Sequence, residues 1–119
     1  MSFQFQKSCD VIEGENYTAI KYADGRSEFI YECQVTNLNI NTPVGSAFYG
    51  MVQCGYFPNG LFISKPKVNV TFVADDTNGA AVYGVRNVSN TSAGNVPLIR
   101  VEQGVVNGYL SYFAYGFWK

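Results

Sequence analysis

The chain has 119 residues, of which 47% are hydrophobic, 16% aromatic and 14% charged. This length suits one domain with its own core, and the apolar content excludes a disordered tail. Eight basic residues against nine acidic ones leave a net charge of −1, without the cationic surplus that a nucleic-acid backbone demands, and zero histidines remove the usual general base, zinc ligand and pH switch.

From the N-terminus, residues 1–10 are polar and carry no apolar h-region, so no signal peptide is expected. The first strand is predicted near 9–13. Runs 17–23 and 26–36 flank Asp24-Gly25, which reads as a two-residue hairpin because both residues tolerate positive φ. Asn41, Thr42, Pro43 and Gly45 break the next boundary, and a strand follows near 46–54. Pro58-Asn59-Gly60 and Lys65-Pro66 bracket a long connection. In 67–74, Val68, Val70 and Phe72 alternate with Lys67, Asn69 and Thr71, the period of a strand with one buried face. Residues 75–79 read as a turn, 80–88 as a strand and 89–94 as a turn. A further strand spans 96–103, Gly104 to Gly108 form the last turn, and 108–118 the last strand. No stretch holds a helical apolar stripe, so almost no helix is expected, and no apolar run approaches the ~20 residues of a membrane helix. Eight short strands with turns at regular spacing predict one all-β domain over 1–119, an antiparallel sandwich, with 1–8 as a connecting lead.

The last strand differs from the others. One face carries Leu110, Tyr112, Ala114, Gly116 and Trp118, and the other Tyr109, Ser111, Phe113, Tyr115 and Phe117. A strand apolar on both faces needs a second covering layer. In so small a domain another copy of the chain is the cheapest one, and a long connection such as 55–66 is the alternative. Tyr109, Phe113, Tyr115, Phe117 and Trp118 are therefore the candidate subunit interface.

Catalytic and metal chemistry find little support. Adjacent Asp75-Asp76 point to opposite sides if extended, which suits no glycosidase acid/base pair. Ser and Cys nucleophiles have no histidine to activate them. Asp75, Asp76 and Asn78 supply oxygens that calcium takes, but without an EF-hand spacing or ligand count, so no metal or other cofactor is expected. Cys9, Cys33 and Cys54 are odd in number and read as free buried thiols. Arg100 and Glu102, two apart on one strand face, read as a structural pair. The glycosylation-type triplets at Asn16, Asn69, Asn87 and Asn90 read as chance in an Asn-rich chain.

If every connection reverses direction, loops 14–16, 37–45, 75–79 and 104–107 share one end. Loops 24–25, 55–66 and 89–95 share the other with Lys119. The first end then presents Asn37, Asn39, Asn41, Thr42, Asp75, Asp76, Asn78 and Asn107, whose amides and carboxylates suit sugar hydroxyls.

Three segments carry a family resemblance: YTAIKYADGRSEFIYE (17–32), FPNGLFISKPKVNVTF (57–72) and the closing GYLSYFAYGFWK (108–119). Together they resemble the C-terminal head domain of tail-fibre, or receptor-binding, proteins from phages and prophages of Gram-positive bacteria, over about residues 17–119. The departures are Ala19 and Tyr22, where that family often has a bulkier aromatic, and Phe117, where a basic residue usually precedes Trp-Lys. The resemblance implies an H-type lectin-like β-sandwich, a homotrimer at a fibre tip on the virion, made in the host cytoplasm. Its implied partners are its own copies, an upstream fibre or baseplate protein and a host cell-surface saccharide, with no nucleic acid and no membrane insertion. No family binding residue matches this sequence, so the ligand candidates rest on the loop-end argument alone. The implied function is non-catalytic attachment; the alternatives are a purely structural trimerisation knob and a glycan-degrading enzyme.

Overall fold

Period-two alternation drives the architecture. The computed structural model describes residues 9–75 and 79–119, and these form nine strands and no helix. They are β1 (Cys9–Gly14), β2 (Tyr17–Tyr22), β3 (Arg26–Ile40), β4 (Thr42–Val44), β5 (Ala47–Gln53), β6 (Lys67–Ala74), β7 (Ala81–Val82), β8 (Asn95–Arg100) and β9 (Gly104–Phe117). A five-stranded sheet, β1-β2-β3-β9-β6, and a four-stranded sheet, β4-β5-β8-β7, are antiparallel throughout. The expected all-β sandwich is the fold. The expected lead 1–8 lies outside the described residues, as do Asp76 and Asn78.

Several local expectations are corrected. The segment 37–45 is not one loop: β3 continues to Ile40 and pairs with β9 from Gly104 onward, and Thr42–Val44 form β4. Buried Ile40 and Val106 keep the alternation going, and Asn37 absorbs one extra residue at φ 51 in a bulge between Val35 and Leu38. At 15 residues, β3 spans about 50 Å. The segment 80–88 keeps only β7, because Gly84 (φ 76) and Asn87 (φ 63) turn the chain out of the ladder. The β2–β3 connection is Ala23-Asp24-Gly25, closed by Gly25 N–H to the Tyr22 carbonyl at 3.0 Å, and of its residues Gly25 alone takes positive φ, 103°. This is a type I turn followed by a left-handed glycine rather than a two-residue turn. Asp24 clamps it, its carboxylate accepting from Arg26 Nε at 2.8 Å and Arg26 N at 3.0 Å. The Arg26 backbone N–H and guanidinium hold the Asp24 carboxyl below its ordinary value. β8 ends at Arg100, leaving Glu102 beyond the strand.

The second layer has two parts. Over one half of the large sheet lies the small sheet, with Ile40, Val96, Leu98 and Val106 buried between them. Here the sheets nearly touch: a Cβ on Gly50 would collide with the Asn39 carbonyl oxygen. Over the other half lie the connections on either side of Phe57 and Ala93. Phe57, Leu61, Phe62 and Ala93 are buried there against Ala19, Phe29, Tyr112 and Ala114. The rings meet edge-on, Phe29–Phe57 at 4.9 Å and Phe57–Phe62 at 4.8 Å. Tyr112 donates its buried hydroxyl to the Ala93 carbonyl at 2.8 Å, fixing the connection to the sheet.

All three cysteines are free thiols; Cys54 is buried, while Cys9 and Cys33 are half-buried. Burial pushes the Cys54 thiol up to about 12. The thiolate is the reactive form, so Cys54 is expected to resist iodoacetamide at pH 8 until the chain unfolds. Peptide mass mapping with and without urea checks this; labelling of Cys54 in the native protein would contradict it.

Candidate functional site

β9 lies inside the large sheet, between β3 and β6, and its two faces meet different surroundings. Leu110, Tyr112 and Ala114 point inward and are buried. The alternate residues point outward, and nothing among the described residues covers them. Tyr109 is 39% exposed, Tyr115 40% and Phe117 57%, with half-buried Phe113 stacked on Tyr115 at 5.7 Å. The long connection covers the inward face, so the outward aromatic stripe is what remains for a partner.

The register places polar residues on both flanks of the stripe. Reading across β6, β9 and β3, the outward rows are Lys67–Tyr115–Glu28, Asn69–Phe113–Ile30, Thr71–Ser111–Glu32 and Val73–Tyr109–Gln34. A depression of about 510 Å³ opens where Arg26, Glu28, Lys65 and Lys67 surround Phe113, Tyr115 and Phe117. Among the described residues the one ion pair is Arg26–Asp24, so Lys65, Lys67, Glu28 and Glu32 have no charged partner there. Tyr22 donates its hydroxyl to Glu28 at 3.2 Å, and Tyr109 donates to Glu32 at 2.7 Å. The bond to Glu32 raises the Tyr109 phenol above its ordinary value.

Trp118 separates from the other four interface candidates. It follows the inward parity, and its indole N–H bonds the Tyr22 carbonyl at 2.7 Å. Lys21 and Lys119 hold their ammonium groups 5.5 and 4.8 Å from its ring. Its backbone N–H bonds the Gly25 carbonyl at 2.9 Å, so this residue fastens the end of β9 to the β2–β3 turn.

The expected ligand residues are only partly brought together. Asn37, Asp75 and Asn107 meet at the bulge. Asn107 accepts the Asn37 N–H on Oδ1 at 2.8 Å and the Asp75 N–H on its carbonyl at 2.9 Å, while Gln34 Nε2 reaches Asp75 Oδ2 at 3.5 Å. These acceptors hold the bulge. Asn39 lies farther along β3 opposite Val105, and Asn41 and Thr42 follow at the crossing into the small sheet, all exposed. A polar depression of about 560 Å³, lined by Glu13, Asn16, Thr18, Glu32 and Tyr109, was not legible in the sequence. Its residues come from four strands and one turn, and only their shared outward parity links them.

No protein-family model and no curated protein matches this sequence. Among solved structures, the P. aeruginosa R1 pyocin fibre comprising C-terminal residues 323–701 is similar, with a TM-score of 0.55 and 18% identity over 92% of this chain. The likeness is one of fold, and this chain spans 28% of that one.

Proposed function

We propose that this chain is the tip domain of a phage or prophage tail fibre, assembled as a homotrimer on an upstream fibre or baseplate protein. On this reading it is non-catalytic and attaches the virion to a host cell-surface saccharide, in a Gram-positive host as the sequence resemblance implies. The carrying observation is the uncovered aromatic face of β9, on a domain whose fold is similar to part of a fibre. A stripe of rings in the middle of a sheet suits burial by neighbouring copies better than exposure to water. Copies held at fixed geometry turn individually weak saccharide sites into useful avidity. The Glu13–Tyr109 depression and the exposed amides near the bulge supply the hydroxyl-binding groups that such sites use.

The structural-knob reading has an observation of its own: Asn107 spends both of its oxygens on the bulge. Binding to Gram-positive cells and to a panel of their wall saccharides separates the two readings. The expected result is adhesion by the native chain, weakened at least about tenfold by Asp75→Ala with Asp76→Ala, or by Glu13→Ala, with assembly unchanged. Assembly without adhesion to any cell or saccharide would overturn the attachment reading in favour of the knob. Release of reducing ends from wall material would overturn the non-catalytic one.

A further inference from the structure

The outward face carries its charges in an arrangement that distinguishes between ways of packing copies together. Lys67 lies on β6 and Glu28 on β3, in the same row, one on each side of Tyr115. Two strand spacings, about 10 Å, separate their backbones. Neither has an ionic partner among the described residues. If a second copy meets this face by rotation about an axis parallel to the strands, β6 of one copy comes to lie over β3 of the next at the same height. Lys67 then faces Glu28 of the neighbour, while Tyr115 of each copy meets the other along the axis. Rotation about an axis in the face but perpendicular to the strands instead lays β3 on β3. Glu28 and Glu32 would then oppose each other or themselves across the contact, carboxylate against carboxylate.

We infer that copies of this chain pack side by side with their β9 strands parallel around a common axis, Lys67 of each copy pairing with Glu28 of the next across the aromatic stripe. This rests on the reading that the chain assembles with itself, and it adds the face, the direction and the pairing. The pair seals the edge of the 510 Å³ depression, whose rings the neighbouring copy covers. A charge pair beside buried aromatic surface is shielded from solvent and couples more strongly than one in open water. Thr71 and Glu32 occupy the equivalent flanking positions four residues along, where a hydroxyl can donate to a carboxylate.

The test is a charge exchange on the full chain, read as molar mass by light scattering across a dilution series, with circular dichroism verifying the fold. Lys67→Glu and Glu28→Lys are each expected to weaken assembly at least about tenfold, and the double variant to recover most of that loss. Both positions are outward, so the fold should persist in all three variants. Native chain that assembles into three copies, with single variants that assemble normally or a double variant weaker than either single, would overturn the pairing while leaving self-assembly intact. Native chain that stays single at every concentration would overturn the assembly reading itself. A two-copy mass with compensating exchange would support the parallel pairing and overturn the threefold count.

Discussion

Replacing Phe29 by alanine is expected to lower the stability of the fold by about 3–5 kcal/mol and its melting temperature by about 10–20 °C. Phe29 is 1% exposed and sits where three parts of the chain meet. Its ring contacts Tyr17 on β2 at 5.1 Å, Phe57 of the long connection at 4.9 Å and Tyr112 on β9 at 6.0 Å. Phe29 stands on β3, held by cross-strand pairing to β2 and β9, and a paired sheet cannot close around the void. The cavity should therefore persist, and the loss should sit toward the upper part of that range. A domain of this kind has about 5–15 kcal/mol in total, so the variant should be visibly marginal in urea. Tyr112→Phe is the graded companion. It removes the hydroxyl that satisfies the buried Ala93 carbonyl and should cost about 1–3 kcal/mol. Equal stability of Phe29→Ala and native chain in denaturant titration would mean that the connection is not packed as described.

The second large effect lies on the opposite face. Phe113→Ser combined with Tyr115→Ser should leave the fold of a single chain nearly intact, because both side chains point away from the core. The same pair of changes should weaken assembly at least about a hundredfold, since buried aromatic anchors dominate interface energetics. The two experiments are reciprocal: Phe29→Ala strikes the fold, and the outward pair strikes only the contact between copies. Native chain that assembles as strongly after the outward double change would move the interface to another surface. Unfolding of the outward variant as a single chain would show that its rings carry more of the fold than their exposure indicates.

The alternation that the sequence displays in plain form is the part of the fold that it predicts well. Lys67 to Ala74 alternates without interruption and forms a strand over that range. The two-sided apolar character of 108–118 asks for a second covering layer, and the register places Tyr109, Phe113, Tyr115 and Phe117 on one face and Leu110, Tyr112 and Ala114 on the other, the latter under the long connection. Trp118 shares their aromatic character, but its alternation puts it on the face of Leu110, Tyr112 and Ala114, where its indole bonds the Tyr22 carbonyl. Residues 37–41 read as a loop for a related reason. Asn37, Asn39 and Asn41 look like turn residues, yet Leu38 and Ile40 between them continue the buried face. A single left-handed asparagine is enough to restore the register. Gly84 and Asn87 look no different in sequence, but there the left-handed backbone takes the chain out of the ladder, with Arg86 between them returning to bridge Asn95. The polar depression could not be read because its residues approach only through cross-strand pairing.

The fastening of Trp118 to Tyr22 and Gly25 has a practical corollary. Cys9 pairs with Tyr22 in the β1–β2 ladder, and Lys119 lies beside the same turn. Cys9 and Lys119 therefore lie at one pole of the domain. A biotin handle or peptide tag joined at Lys119 would anchor the protein to a sensor chip by this pole, with the Asn37–Asn107 bulge facing the analyte stream.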